Sequence, residues 1–160
     1  MDYQPRKLPV FEIVPKVQLN TPLLADEPIQ IKWNGTEYTK GTGKVQEALG
    51  YEGKAAYYPI GDKQQFDLGA LKGDSIHVRI CFLPTFPVNN EQIRLSITLD
   101  KQAAQTVHYE THWHSAEWCE NVLFNQSIKE VVFKNDGKAK HTLTLQALDE
   151  GVVVDRVMVY

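Results

Sequence analysis

The chain has 160 residues, 42% of them hydrophobic and 23% charged, and a formal net charge of −3. Those values describe one ordinary globular domain and exclude a disordered tail, a collagen-like repeat and a basic nucleic-acid binder. A chain of this size buries roughly 68–70% of its unfolded surface, so it folds without needing a metal or a disulfide framework.

Residues 1–27 hold four of the eight prolines, Pro5, Pro9, Pro15 and Pro22. They read as an extended lead-in or linker packing on the domain, with Phe11 to Val14 stopped by Pro15. Met1 to Lys7 lack the apolar stretch of a signal peptide, which reads either as a cytoplasmic start or as the start of a domain cut from a longer secreted chain. No apolar run approaches the roughly 20 residues needed to span a bilayer, so no membrane partner is expected.

The sandwich proper is expected over 28–160. Ile29 to Trp33 alternate, and Asn34-Gly35 follows as a hairpin turn signal. Lys40 to Lys44 reads as a flexible stretch. Strands are expected at Lys54 to Ile60 and Gln65 to Leu68. After the Gly73-Asp74 turn, Ile76, Val78, Ile80 and Phe82 face the core, while His77, Arg79 and Cys81 face outward. Ile93, Leu95, Ile97 and Leu99 repeat the pattern, with Arg94, Ser96 and Thr98 outside. Further strands are expected at Lys129 to Lys134, Leu143 to Ala147 and Val152 to Tyr160. Ala116 to Phe124 is the best helical segment. About nine or ten short strands between turn signals define an all-β fold, an antiparallel jelly-roll β-sandwich.

No nucleophile elbow, phosphate loop or dinucleotide fingerprint is present. Carboxylates are scattered, and no pattern marks an acid/base pair. The densest chemistry lies between His108 and Trp118, where two tryptophans, one tyrosine and three histidines fall in eleven residues. His112 and His114 share a strand face and could begin a metal site. With Glu117 they are similar to the cupin His-x-His and following Glu. Here, however, two residues separate His114 from Glu117, against three or four in cupins. Solvated loop histidines are the plainer reading.

Trp113 and Trp118 suit stacking on sugar rings, or packing in a core or interface. Tyr57 and Tyr58 must point to opposite faces of one strand, which leaves Tyr57 as a candidate contact. Asp155 shares a face with Val153, Val157 and Val159 and therefore needs donors, a charge or a cation. Structural calcium is the sharper alternative, and backbone N–H donors are the plainer one. Cys81 and Cys119 lack metal spacing and admit either one bridge or two buried free thiols.

Several ordered blocks resemble one family. Ala48-Leu49-Gly50-Tyr51-Glu52-Gly53-Lys54-Ala55-Ala56 is similar to the Leu-Gly-Tyr-Ser-Gly-x-Ala stretch in the C-terminal domain of glycoside hydrolase family 115, the xylan α-glucuronidases. Phe66-Asp67-Leu68, Leu83-Pro84-Thr85-Phe86-Pro87, Ile93 to Asp100, Trp118 with Asn121 to Leu123 and Asn125, Gly137 with His141 to Leu143, and Leu148 to Asp155 continue the match over residues 48–160.

The resemblance implies a non-catalytic, carbohydrate-binding-like β-sandwich at the end of a multidomain enzyme, similar in architecture to carbohydrate-binding modules of families 6 and 35. Those modules often hold structural calcium, but their Glu-x-Glu calcium motif is missing here, Glu37 being its nearest counterpart. The implied partners are a polysaccharide or the neighbouring catalytic domain of the same chain. The implied location is periplasmic or secreted, where a Cys81–Cys119 bridge could form. A structural or dimerisation module acting as a homodimer is the alternative, and a metal-dependent jelly-roll enzyme is a third. Ligand contact is expected at Trp113, His112, His114, Trp118 and Tyr57, and metal contact at Asp155.

Overall fold

The structure, a computed structural model, describes residues 29–89, 92–110 and 113–160. The expected lead-in at 1–27 lies outside the described residues. The elements in chain order are β1 (Ile31–Asn34), β2 (Lys44–Glu47), β3 (Lys54–Tyr57), β4 (Lys63–Leu68), β5 (Ser75–Phe82), β6 (Arg94–Leu99), β7 (Gln105–His108), α1 (Ala116–Phe124), β8 (Ser127–Lys134), β9 (His141–Ala147) and β10 (Val153–Val159).

All described strand pairs are antiparallel. Four strands form one sheet in the order β4-β9-β6-β7. The other sheet has six strands and runs β2-β3-β10-β5-β8, with β1 also paired to β10. Strand β10 is its hub. One edge of β10 is shared by β3, opposite Val153 and Val154, and by β1, opposite Arg156 to Val159; its other edge pairs with β5.

Period-two alternation explains why these segments are strands. In β6, Leu95, Ile97 and Leu99 are buried between half-buried Arg94, Ser96 and Thr98. In β9, Leu143, Leu145 and Ala147 are buried and alternate with Thr142, Thr144 and Gln146. The inward rows of the two sheets meet in one core with Phe66, Ile76, Val78, Ile80, Phe82, Val131 and Phe133. The fold is therefore an all-β sandwich of two antiparallel sheets.

Four features differ from the sequence reading. Strands β2 and β7 lie where no strand was expected. Both are short, and β2 sits in the Gly-rich stretch, held by its ladder to β3. Asn34-Gly35 does turn the chain, but β1 pairs with the distant β10, so the turn joins no hairpin. Instead, the buried Asn34 amide donates to the Lys54 carbonyl while its Oδ1 accepts from the Thr36 N–H.

The third difference is a β-bulge in β10, where the register to β5 shifts between Val154 and Arg156. Val154, Val157 and Val159 line the core, and Asp155 leaves the face it was expected to share with Val157 and Val159. The fourth concerns the thiols. Cys81 is buried under the outer face of the large sheet with Met158 and Tyr160, and its thiol is pushed up by burial. Cys119 is exposed on α1, and both cysteines are free, so the picture of two buried thiols does not hold.

Candidate functional site: an outer-face groove beside an aromatic patch

Two clefts open on the outer side of the large sheet, around the Phe82 end of β5. The first, of about 450 Å³, is lined by Lys44, Gln46, Leu49, Tyr57, Leu83, Pro84, Thr85, Asn125 and Val153. The second, of about 360 Å³, is lined by Gly50, Tyr51, Phe124, Asn125, Gln126, Asp155 and Arg156. Asn125 lines both, so they adjoin at the C-terminus of α1.

Strand pairing builds the first cleft. Tyr57 stands opposite Lys44 on β2 and Val153 on β10, and its ring shares their outward face. Its neighbour Tyr58 points inward, is fully buried and donates its hydroxyl to the Gly35 carbonyl. The expected split of the two rings thus holds, and Tyr57 becomes a half-buried surface ring. Leu49, Leu83, Pro84 and Val153 give this cleft an apolar lining, and Lys44, Gln46 and Asn125 supply polar groups. This mixture suits a molecule with apolar faces and hydroxyl edges.

The second cleft is fixed by charge. Asp155 is buried and accepts from the Tyr51 backbone N–H at 2.9 Å and from Arg156 Nε at 2.9 Å. Arg156 also donates to Gln126 Oε1 at 2.8 Å, and its guanidinium lies 4.4 Å from the centroid of the exposed Tyr51 ring. Gly50 is needed for this geometry. Its φ is +76°, and an added Cβ would stand 2.3 Å from Asp155 Oδ1. The donors around Asp155 do not fit a calcium ion. Both described partners are N–H groups, and one carries the positive charge that a cation would otherwise supply.

The residues from the histidine-rich segment gather elsewhere. Trp113 is 61% exposed, with ring centroids 4.8 Å from Trp118, 5.0 Å from His114 and 5.6 Å from Phe86. His114 is exposed, at φ +62°, and Trp118 is half-buried. His112 lies outside the described residues. The structure therefore joins Trp113, His114 and Trp118 in one aromatic patch, and puts Tyr57 and Asp155 in the adjoining clefts. Sequence reasoning missed Phe86, Leu49, Gln46 and Asn125. Of these, Phe86, Leu49 and Asn125 stood in the blocks that carried the family resemblance, but no local rule gave them a role.

Elsewhere, buried carboxylates are tied to structural partners. Asp149 receives Arg94 Nε at 2.8 Å, Arg94 Nη2 at 3.0 Å and the Arg94 N–H at 2.9 Å. The Arg94 hydrogen bond holds the Asp149 carboxyl below its usual range. Asp100 takes the Thr142 N–H and His141 Nδ1, each at 2.8 Å. Burial pushes Asp100 up, but those hydrogen bonds outweigh it and leave the group lowered. Asp100, Asp136 and His141 come close enough to suggest a metal site, but Lys138 Nζ already pairs with both carboxylates.

The comparisons with known proteins agree with the two-sheet antiparallel sandwich. Residues 38–160 match the glycosyl hydrolase family 115 C-terminal domain, and the chain belongs to that family. A solved family 115 4-O-methyl-α-glucuronidase, BtGH115A, described as specific for decorated arabinogalactans, is 45% identical, with a TM-score of 0.82. The match covers 87% of this chain and 18% of that one, so this chain spans less than a fifth of the relative.

At the level of fold alone, the C-terminal family 6 module of a laminarinase from Zobellia galactanivorans superposes with a TM-score of 0.61 at 9% identity, over 81% of this chain and 97% of that one. A family 35 module from Clostridium thermocellum gives 0.60 at 10% identity, over 81% and 98%. Among curated proteins no sequence matches the chain.

Proposed function

We propose that this domain is a non-catalytic accessory unit of a family 115 glycoside hydrolase, and that it contacts polysaccharide through the groove around Tyr57. One observation carries the non-catalytic reading. Glycoside hydrolysis in most families needs two carboxyl groups flanking the scissile bond, and the described clefts offer one at most. The Tyr57 cleft has none, the adjoining cleft has Asp155, and a cleft of about 430 Å³ at the other end of β5 has Asp74. Asp155 is already engaged by Arg156 and the Tyr51 N–H, which leaves it no room for acid/base work.

The groove's chemistry supports sugar contact. A pyranose ring would lie on Tyr57, Leu49 and Val153, with its hydroxyls towards Gln46, Lys44 and Asn125. A single half-buried ring supports weak binding, which suits a unit tethered to a catalytic domain at high effective concentration. Work on external polysaccharide goes with the periplasmic or secreted location implied by the resemblance.

The test is titration of the purified chain with glucuronoxylan fragments and with 4-O-methylglucuronate-decorated arabinogalactan. Millimolar binding that Tyr57→Ala weakens about tenfold, roughly 1.4 kcal/mol, is the expected result. No heat with either sugar at millimolar concentration removes the binding half of the proposal and leaves a purely structural unit.

A further inference from the structure

Helix α1 is built inside out. Its ends are well made. Ser115 caps the start by accepting from the Trp118 N–H, Glu117 stands in the first turn, and Asn125 closes the end in the left-handed region at φ +50°. Its faces are reversed. The buried residue of the helix is polar Asn121, at 8% exposure, whereas Leu123 is 74% exposed. At about 100° per residue, Ala116, Cys119 and Leu123 share one side, and all three are exposed. Val122, 51% exposed, borders that side, and half-buried Trp118 lies beyond it towards Asn121. Trp118 joins it to Trp113, and Trp113 joins it to Phe86, which is also more than half exposed.

A surface helix normally turns its apolar stripe inward. Here the stripe faces away from the sandwich and continues into two exposed aromatic rings, forming one apolar surface rather than scattered single residues. An alternating core explains the long strands, but nothing among the described residues explains this face. What covers it follows from scale. The 45% identical family 115 relative carries more than four-fifths of its length outside the matched domain. Interfaces between domains of one chain resemble those between proteins, and there aromatic side chains such as Trp act as anchors.

We infer that the outer face of α1, with Trp113 and Phe86, docks onto the rest of a family 115 polypeptide and fixes this domain against it. Trp113 is an anchor in that contact rather than a sugar platform. The inference rests on family membership and not on the sugar groove, whose lining is different.

Cys119 reports on the contact because it lies on the docking face, while Cys81 is buried and serves as the internal control. Maleimide labelling of native protein is compared between this 160-residue chain and the whole reading frame that contains it. Slowing of Cys119 labelling by tenfold or more in the whole polypeptide is expected, and equal rates overturn the inference. Leu123→Asp should restore fast labelling in the whole polypeptide and leave the melting temperature of the 160-residue chain unchanged. If Leu123→Asp unfolds the isolated chain, labelling of unmutated protein still decides. A concentration-dependent dimer of the 160-residue chain, abolished by Leu123→Asp, would give the face to a second copy and overturn the inference. A groove variant such as Tyr57→Ala should leave Cys119 labelling as it was, which separates this result from failure of sugar binding.

Discussion

Strand β9 and helix α1 are nearly the same length and obey opposite rules. Every second residue of β9 is an apolar or imidazole side chain with no access to water, and its polar residues lie between them. In α1 the apolar residues lie outside and the amide lies inside. The strand finds all its partners within the domain, on β4 and β6. The helix is held by its caps and by the Glu117–Lys129 ion pair at 2.8 Å, which is half exposed and worth little by itself. Regular structure and burial are thus separate achievements. Good capping can hold nine residues in a helix whose apolar side has no partner among the described residues, whereas a strand depends on its neighbours for both.

Substitutions in the two regions should differ accordingly. The largest effect is expected at Leu145→Ala in the centre of β9, where deleting a fully buried side chain costs about 2–5 kcal/mol. Urea denaturation measures it, and a loss below about 1 kcal/mol would mean that the core is looser than the alternation implies. Next comes Asp149→Asn, which removes the carboxylate paired with Arg94. Hydrogen bonds to charged groups contribute about 1.5–3 kcal/mol, and the half-exposed Arg94 puts this pair at the lower end. The effect has a pH signature. The folded carboxyl is lowered, so its contribution is complete above the unfolded value of about 3.9 and is lost as pH falls through the folded value. Parent and variant should therefore differ at pH 7 and converge in acid; a gap that stays constant down to pH 2 would assign the effect to packing instead.

Gly50→Ala tests the second cleft on a smaller scale. A left-handed φ costs a residue with a Cβ about 1–2 kcal/mol, and this Cβ would also press on Asp155. The expected readout is a lower melting temperature together with loss of the Tyr51 N–H bond, visible as faster amide exchange at Tyr51. The smallest effect belongs to the helix. Val122→Asp in the 160-residue chain should change stability by no more than about 0.5 kcal/mol, as exposed positions do. A larger loss would show that the helix face already has a partner inside the domain.

The sequence made the long strands legible because their periodicity is strict. In Ile76 to Phe82 and Ile93 to Leu99 the apolar row is buried as read, although Arg79 and Cys81, read as facing outward, are buried as well. The helical segment Ala116 to Phe124 was legible too and has the bounds of α1, although its Ser115 cap was not read from the sequence. Short edge strands were not: Lys44 to Glu47 has no apolar row of its own and becomes a strand only through its pairing with β3. The bulge at Asp155 was hidden for a similar reason, since one extra residue shifts every later side chain and leaves no mark in composition. Of the candidate site, Tyr57 could be singled out because two adjacent tyrosines in a strand must diverge. Its companions Leu49, Leu83 and Asn125 come from three separate connections and meet only in the folded chain.

The position of β10 in its sheet also bears on how the chain comes to be folded. That strand follows all the others in the sequence, yet it joins β1 and β3 to β5. Until it emerges from the ribosome, β1 lacks its ladder, and the β2-β3 hairpin and the β5-β8 pair have no strand between them to unite them. Closing such distant pairs late in synthesis is slow and leaves strand edges open to wrong partners meanwhile. The four-stranded sheet can form without β10, whereas the larger sheet is completed only when this last strand of the domain is in place.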